Sequence, residues 1–224
     1  MLFRSYIDEF ADERIMFEGA AGPPDYLAMS MPFSRERHRD LMLRFQHFSQ
    51  FGVMVSDLSR GRVRERLGRP EIHYDLNADD TAAFKRGIEL LCELYFAAGA
   101  RTVFPPVEHV GTLQDGDLAP LREAEIKPRH LTLMAFHPLG TARADARPDH
   151  GVVDGDLKLH DADGVYVADG SAVPSSLGVN PQITIMALAS RLAYHLLEKA
   201  RPDGEPEPEH IARPRIERAH AISA

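Results

Sequence analysis

Three short stretches in the second half of the chain combine residue types that can handle a proton and an anion. His137 closes the apolar run Leu131 to Phe136, and Pro138 and Gly140 force a turn behind it. An imidazole held at the end of a core strand is a positioned proton acceptor, and imidazole titrates near neutrality. Asp169 and Gly170 follow a second apolar run, Val165 to Ala168. That run reads as a short buried strand delivering a carboxylate and a close-approach glycine to the carboxyl end of a sheet, where α/β folds bind ligands. Asn180, Pro181 and Gln182 stand at the head of an amphipathic segment. Pro181 suits a first helical turn and Asn180 an N-cap. The N–H groups of such a turn form an anion site. Each feature has a plainer reading as well: an N-cap asparagine serves as a cap, and a strand-end histidine as a packed, hydrogen-bonded residue.

The elements that position these residues follow from periodicity. Arg14 to Glu18 reads as a short strand, broken by Gly19, Gly22, Pro23 and Pro24. Ser34 caps an expected helix over Arg35 to Phe48, with Leu41, Phe45 and Phe48 on one face. Phe51, Val53 and Val55, then Ile72, Tyr74 and Leu76, alternate with period two as strands do. Between them, Ser59 to Pro70 carries Arg60, Arg62, Arg64, Arg66 and Arg69 with Gly61 and Gly68, and reads as a solvated hairpin tip. Asn77 to Ala98 is an expected helix, capped by Asn77 or Asp79, with Phe84, Ile88, Leu91, Tyr95 and Ala98 as its stripe and Gly99 as its left-handed stop. Arg101 to Phe104 and Leu131 to Phe136 read as strands, and Asp145 to Gly164 as a polar loop. The last helix runs from Pro181 to about Lys199, with Ile185, Leu188, Leu192 and Leu196 inward. From Arg201 onward the Pro- and Glu-rich composition is that of a disordered tail.

Composition excludes several classes. The chain has 224 residues, 26 Lys plus Arg and 34 Asp plus Glu, for a net charge of −8. That balance argues against electrostatic coating of nucleic acid or an anionic membrane, and no aromatics interleave with the arginines of Ser59 to Pro70. Cys92 is the single cysteine, so an intrachain disulfide and a CxxC site are both impossible. No apolar run reaches the roughly 20 residues of a membrane helix, and Arg4, Asp8 and Glu9 spoil a signal peptide. A cytoplasmic location is the default expectation. GxGxxG, P-loop, HExxH and GxSxG patterns are absent. An EF-hand counted from Asp154 would need Gly and Glu where Leu159 and Val165 stand, and no metal site is expected.

The wording of the motifs carries a resemblance. His137-Pro138-Leu139-Gly140-Thr141-Ala142-Arg143 resembles the His-x-x-Gly-Thr-x-Arg motif of the glucose–methanol–choline (GMC) flavin oxidoreductases, and Val152-Val153-Asp154 the segment after it. Gly164 to Pro174 is similar to that family's second flavin-facing strand and turn, and Gly178 to Ala189 to its closing helix. The wording is nearest the cholesterol oxidase and long-chain alcohol oxidase branches.

The resemblance implies an α/β fold of mixed α+β character. It would comprise the C-terminal part of a flavin-binding Rossmann-like domain plus part of a substrate domain with a mostly antiparallel sheet. Residues 1–130 would be the partial substrate domain, 131–200 the return into the FAD domain, and 201–224 the tail. It implies FAD as cofactor and an alcohol, of apolar character, as substrate. His137 would be the catalytic base and Asn180 the second catalytic residue. Asp169, Gly170, Asn180, Pro181 and Gln182 would line the flavin. The family's GxGxxG half has no counterpart in this sequence, so the expected partner is an N-terminal FAD-binding half or subunit. The alternative is an inactive fragment or non-catalytic subunit. A serine hydrolase using Ser171, His137 and an aspartate is the weaker third reading, because Ser171 lacks a nucleophile elbow.

Overall fold

The computed structural model describes residues 6–19 and 22–200. The expected tail, residues 201–224, lies outside the described residues. The chain begins with a three-stranded antiparallel sheet in the order β1 (Tyr6–Ile7), β2 (Ile15–Gly19), β3 (Phe51–Val55). Ile15, Met16, Phe17 and Glu18 of the middle strand are all buried, so β2 is covered on both faces rather than one. Glu18 faces Gly52 across the ladder.

Between β2 and β3 run α1 (Pro24–Ser30), α2 (Arg35–Met42) and a 3-10 turn over Phe45–His47. The helix expected to reach Phe48 therefore ends at Met42, and Ser34 makes no side-chain cap bond. Phe48 leaves the helical line to stack on Phe104, with ring centroids 6.0 Å apart, and Phe33 meets the same ring edge-on at 5.1 Å. Aromatic packing overrides the helical period here.

The arginine-rich stretch is regular structure rather than a loop. β4 (Gly61–Arg66) and β5 (Arg69–Tyr74) form an antiparallel hairpin. Only Leu67 and Gly68 form its tip, at φ of 54° and 74°, the pair of positive values that a tight two-residue hairpin turn requires.

α3 (Ala78–Ala97) matches its expected span. The Asn77 Oδ1 accepts from the Asp80 N–H at 2.7 Å, and Gly99 takes φ of 92°. The helix crosses the sheet at Gly87, where a Cβ would lie 2.5 Å from Val53 Cγ1. A side chain there would lift the helix off the strand. Its stripe joins Ile15, Phe17, Val55 and Leu91 in one core and Ile88 and Cys92 in another. The second core also takes Val103 of β6 (Thr102–Val103), Leu113 of β7 (Leu113–Gln114), Leu121 of α4 (Ala119–Arg122) and Leu131. Burial pushes the Cys92 thiol up to about 12, which fits an inert core cysteine.

Two expected strands lack ladders. Leu131 bridges Val107, but the residues after it pair with no strand among the described residues. Leu133, Met134 and Phe136 are exposed, the last at 62%. Val165 is exposed rather than buried, and Tyr166 makes an isolated bridge with Lys158. Apolar residues can favour an extended backbone, but only a neighbouring strand completes its hydrogen bonds. A third core, Val153, Leu157, Ala172 and Leu192, ties the 145–164 loop to α5 (Gln182–Ala200). Leu196, expected to face inward, is 36% exposed at the rim. The whole is a mixed α/β structure with small antiparallel sheets, as the sequence implies.

Candidate functional site

The loop after Leu131 and the turn after Ala168 are bonded side by side. The Ala142 N–H donates to the Ser171 carbonyl at 3.0 Å and the Ala144 N–H to the Ala172 carbonyl at 2.9 Å. Gly140, at φ of 78°, puts its Cα where a Cβ would sit 3.4 Å from the Val173 carbonyl. This brings the segment carrying His137 against the segment leading to Asn180. The result is a direct contact: His137 Nε2 lies 3.0 Å from Asn180 Oδ1.

Asn180 does not cap the helix. α5 begins at Gln182, and the Ile185 N–H bonds the Pro181 carbonyl at 2.9 Å, which places Pro181 at the cap position. The Asn180 side chain instead bridges two groups. Its Nδ2 donates to Glu18 Oε1 at 2.5 Å while its Oδ1 faces His137. A carboxylate only accepts, so an ionised Glu18 fixes the amide with its NH2 toward Glu18 and its carbonyl toward His137. In that state His137 Nε2 must carry a proton.

Glu18 is the residue that sequence reasoning missed. It was read as the end of a structural strand, yet only 8% of it is exposed. The available signal was an acidic side chain directly after the apolar run Ile15 to Phe17, because a buried carboxylate needs a partner. Burial pushes its carboxyl above the usual 4.5, against the downward pull of the Asn180 amide and the nearby His137 ring. A raised folded-state value means the native protein holds this proton to higher pH than the unfolded chain does. The stability so gained is full below 4.5 and is lost as pH rises through the folded value. Glu18→Gln, which can still accept from Asn180, is expected to flatten that decline. Urea midpoints between pH 4 and 8 measure it; a slope identical to wild type would remove Glu18 from the titration.

The remaining expected residues cluster on the next turn. Asp169 Oδ1 accepts from the Ser171 N–H at 2.7 Å and the Ser171 hydroxyl at 2.5 Å. These bonds hold the Asp169 carboxyl below its usual value. Ser171 is thus occupied within its own turn and His137 bonds Asn180, so Ser171, His137 and Asp169 form no relay. The space that Gly170 leaves is filled by this chain: a Cβ there would meet Ile185 Cδ1 at 3.0 Å and Leu139 Cδ2 at 3.2 Å. The glycine lets α5 and the His137 loop close on the turn, leaving only its backbone for a ligand. Pro181 is buried and Gln182 is exposed at the start of α5. Among the described residues no group of acidic, His and Cys side chains could hold a metal, and no helix is long and apolar enough to cross a membrane.

Comparison with known proteins gives the chain its relatives. A sequence profile described as GMC oxidoreductase matches residues 57–189, which include His137 and Asn180 but not Glu18. An uncharacterised GMC-type oxidoreductase of Mycobacterium tuberculosis is 34% identical over 200 residues, covering 86% of this chain and 31% of the relative. A long-chain-alcohol oxidase of Arabidopsis thaliana is 25% identical over 166 residues, covering 70% of this chain and 22% of that protein. Among solved structures, a formate oxidase superposes with a TM-score of 0.54 at 20% identity, over 84% of this chain and 32% of that one. The chain spans about a third of the length of the curated relatives it matches.

Proposed function

The chain belongs to the GMC oxidoreductase family, whose members are FAD-binding flavoproteins, and on that premise we propose that it is the C-terminal part of an oxidoreductase acting on an alcohol. Residues 1–130 contribute to the substrate side and residues 131–200 to the flavin side. The observation that supports this reading is the His137–Asn180–Glu18 chain. Its members come from three separate segments, with bonds of 3.0 and 2.5 Å between them.

The residues present fit one end of FAD. The first-turn N–H groups of α5, the Gln182 amide and the Gly170 N–H offer donors to anionic or carbonyl oxygens. Asp169, bonded to Ser171 through Oδ1, has Oδ2 to accept from a hydroxyl. Pro181 presets the backbone between Asn180 and Gln182. The adenosine end has no dinucleotide fingerprint in this sequence, so an N-terminal FAD-binding half or subunit holds it. Leu133, Met134, Phe136 and Val179, exposed in the segments that lead to His137 and Asn180, suit an apolar alcohol.

Bound FAD supplies the hydride acceptor. This chain's residues handle the proton. His137 accepts it from the alcohol on an unprotonated Nε2, once the alcohol hydroxyl takes the place of the Asn180 amide on that nitrogen. Before the alcohol arrives, an unprotonated Nε2 faces the Asn180 NH2, and the Asn180 carbonyl then faces a protonated Glu18. The raised affinity of Glu18 for a proton supports that arrangement. With Glu18 ionised, the amide faces the other way and His137 Nε2 is a donor. The protonation of Glu18 therefore sets, through the Asn180 amide, whether His137 Nε2 faces a donor or an acceptor.

Joining the chain to the part of the mycobacterial relative that it does not cover tests the function. A long-chain alcohol is expected to bleach the bound flavin under nitrogen. A loaded flavin that stays oxidised with every alcohol tried contradicts the reading. The chain alone is expected to bind FAD weakly and to self-associate through its exposed apolar segments. Flavin absorbance and sedimentation check this, and a stoichiometric yellow monomer is the contrary result.

A further inference from the structure

We propose that Arg14 is a positioning residue for Asn180 and acts on it through Ser56. The proposal rests on the reading of His137, Asn180 and Glu18 as the reacting site. Two contacts tie the loop before α5 to the three-stranded sheet. One is the Asn180 amide on Glu18. The other lies at the end of β3, where the Ser56 hydroxyl donates to the Ser176 carbonyl at 3.4 Å. Beside it a Cβ on Gly178 would stand 3.2 Å from Ser56 Cβ. The loop backbone therefore rests on Ser56 two residues before Asn180.

Ser56 is held from both sides by one residue. Its N–H donates to the Arg14 carbonyl at 2.9 Å, and its carbonyl accepts from Arg14 Nη1 at 3.0 Å. Arg14 reaches back in this way because its φ is 64°, a left-handed conformation uncommon outside glycine. The same Nη1 donates to Asp80 Oδ1 at 2.7 Å. Asp80 is fully buried, and its Oδ2 accepts from the Leu58 N–H, the Ser59 N–H and the Ser59 hydroxyl. Arg14 immediately precedes β2 and Glu18 lies within it, four positions on. β2 and the residue before it thus set both points at which the Asn180 loop is fastened: Glu18 directly, and Ser56 by way of the guanidinium. Moving Ser56 tilts the loop about its Glu18 contact and carries Asn180 away from His137.

The test uses the full 224-residue chain and the Asn180 side-chain amide resonance, identified as the pair that Asn180→Asp removes. In the wild type this pair is expected to shift as Glu18 titrates, and Glu18→Gln to abolish the shift. Arg14→Met leaves Asp80 its three Ser59 and Leu58 donors. In folded protein, judged by far-UV dichroism, it is expected to lose most of the Glu18-linked shift, and Arg14→Lys, which keeps the charge on Asp80, to recover part of it. Ser56→Leu forces bulk against Gly178 with Arg14 intact and is expected to give the same loss. It decides the matter if Arg14→Met fails to fold. An unchanged amide shift in folded Ser56→Leu or Arg14→Met overturns the proposal, since a purely structural Arg14 would lower the urea midpoint and leave Asn180 where it is. The readout involves no turnover. An unaltered rate per flavin in His137→Ala would instead defeat the catalytic reading while leaving the Asn180 result standing.

Discussion

Replacing His137 with alanine is expected to lower the rate of flavin reduction per bound flavin by about 10²–10⁴-fold, the usual worth of a general base. The quantity must be normalised to flavin, because loss of cofactor and loss of chemistry look alike in bulk activity. His137 is half-buried and its ring bonds Asn180, so the substitution removes a polar contact and little core. Flavin occupancy should hold while turnover falls. Had His137 been a packed strand-end residue, stability and occupancy would fall together and the surviving loaded protein would turn over normally. Asn180→Ala is expected to cost less in rate than His137→Ala. No N-cap penalty accompanies it, since Pro181 and not Asn180 occupies the cap position.

The second large effect is on stability. Asp80→Ala is expected to destabilise the chain by about 3–5 kcal/mol, the range for breaking a buried ion pair from one side. Asp80 has no exposed surface and accepts from Arg14, the Leu58 N–H, the Ser59 N–H and the Ser59 hydroxyl. Burial alone would push its carboxyl up. The Ser59 hydroxyl, Arg14 and the two N–H groups outweigh that and hold it below 3.8. A depressed folded-state value contributes stability that is present above the unfolded value and lost as pH falls through the folded one. The gap in urea midpoint between wild type and Asp80→Ala should therefore be full at pH 7 and narrow below 3.8. A gap that is equal at both pH values would mean the carboxylate's charge contributes nothing.

The parts of the fold legible in the sequence were those whose signals are local. α3 carries its cap, its stripe and its glycine stop within its own 20 residues, the one before them and the two after, and β3 shows its alternation directly. Where a partner decides, the sequence misleads. Leu131 to Phe136 and Val165 to Ala168 have strand composition but no strand beside them among the described residues. Phe48 obeys Phe104 rather than the helix that precedes it. The Ser59 to Pro70 stretch reads as a solvated hairpin tip, yet most of it belongs to the two strands themselves, because a solvated two-stranded hairpin needs no buried face.

The site divides in the same way. His137 and Asn180 were visible because motif and turn residues mark them, and the structure brings them into contact. Glu18 was hidden because its partner is 162 positions away, and nothing in its neighbourhood beyond its own charge distinguishes it. The Asn180 amide was assigned to the helix behind it, the nearest donor-rich group in sequence, whereas in space Glu18 and His137 claim it. A polar side chain before a helix serves whichever acceptor or donor the tertiary fold brings closest.

The central claim is that Glu18 sets the hydrogen-bonding state of His137 through Asn180, so that the two act as one unit. A double-mutant cycle on flavin-reduction rate in the flavin-loaded protein tests it most directly, with His137→Ala, Glu18→Gln and the pair together, each corrected for bound flavin. Groups acting as a unit are strongly non-additive, so the double variant is expected to be about as slow as the slower single variant. Losses that multiply would show two independent residues and contradict the account.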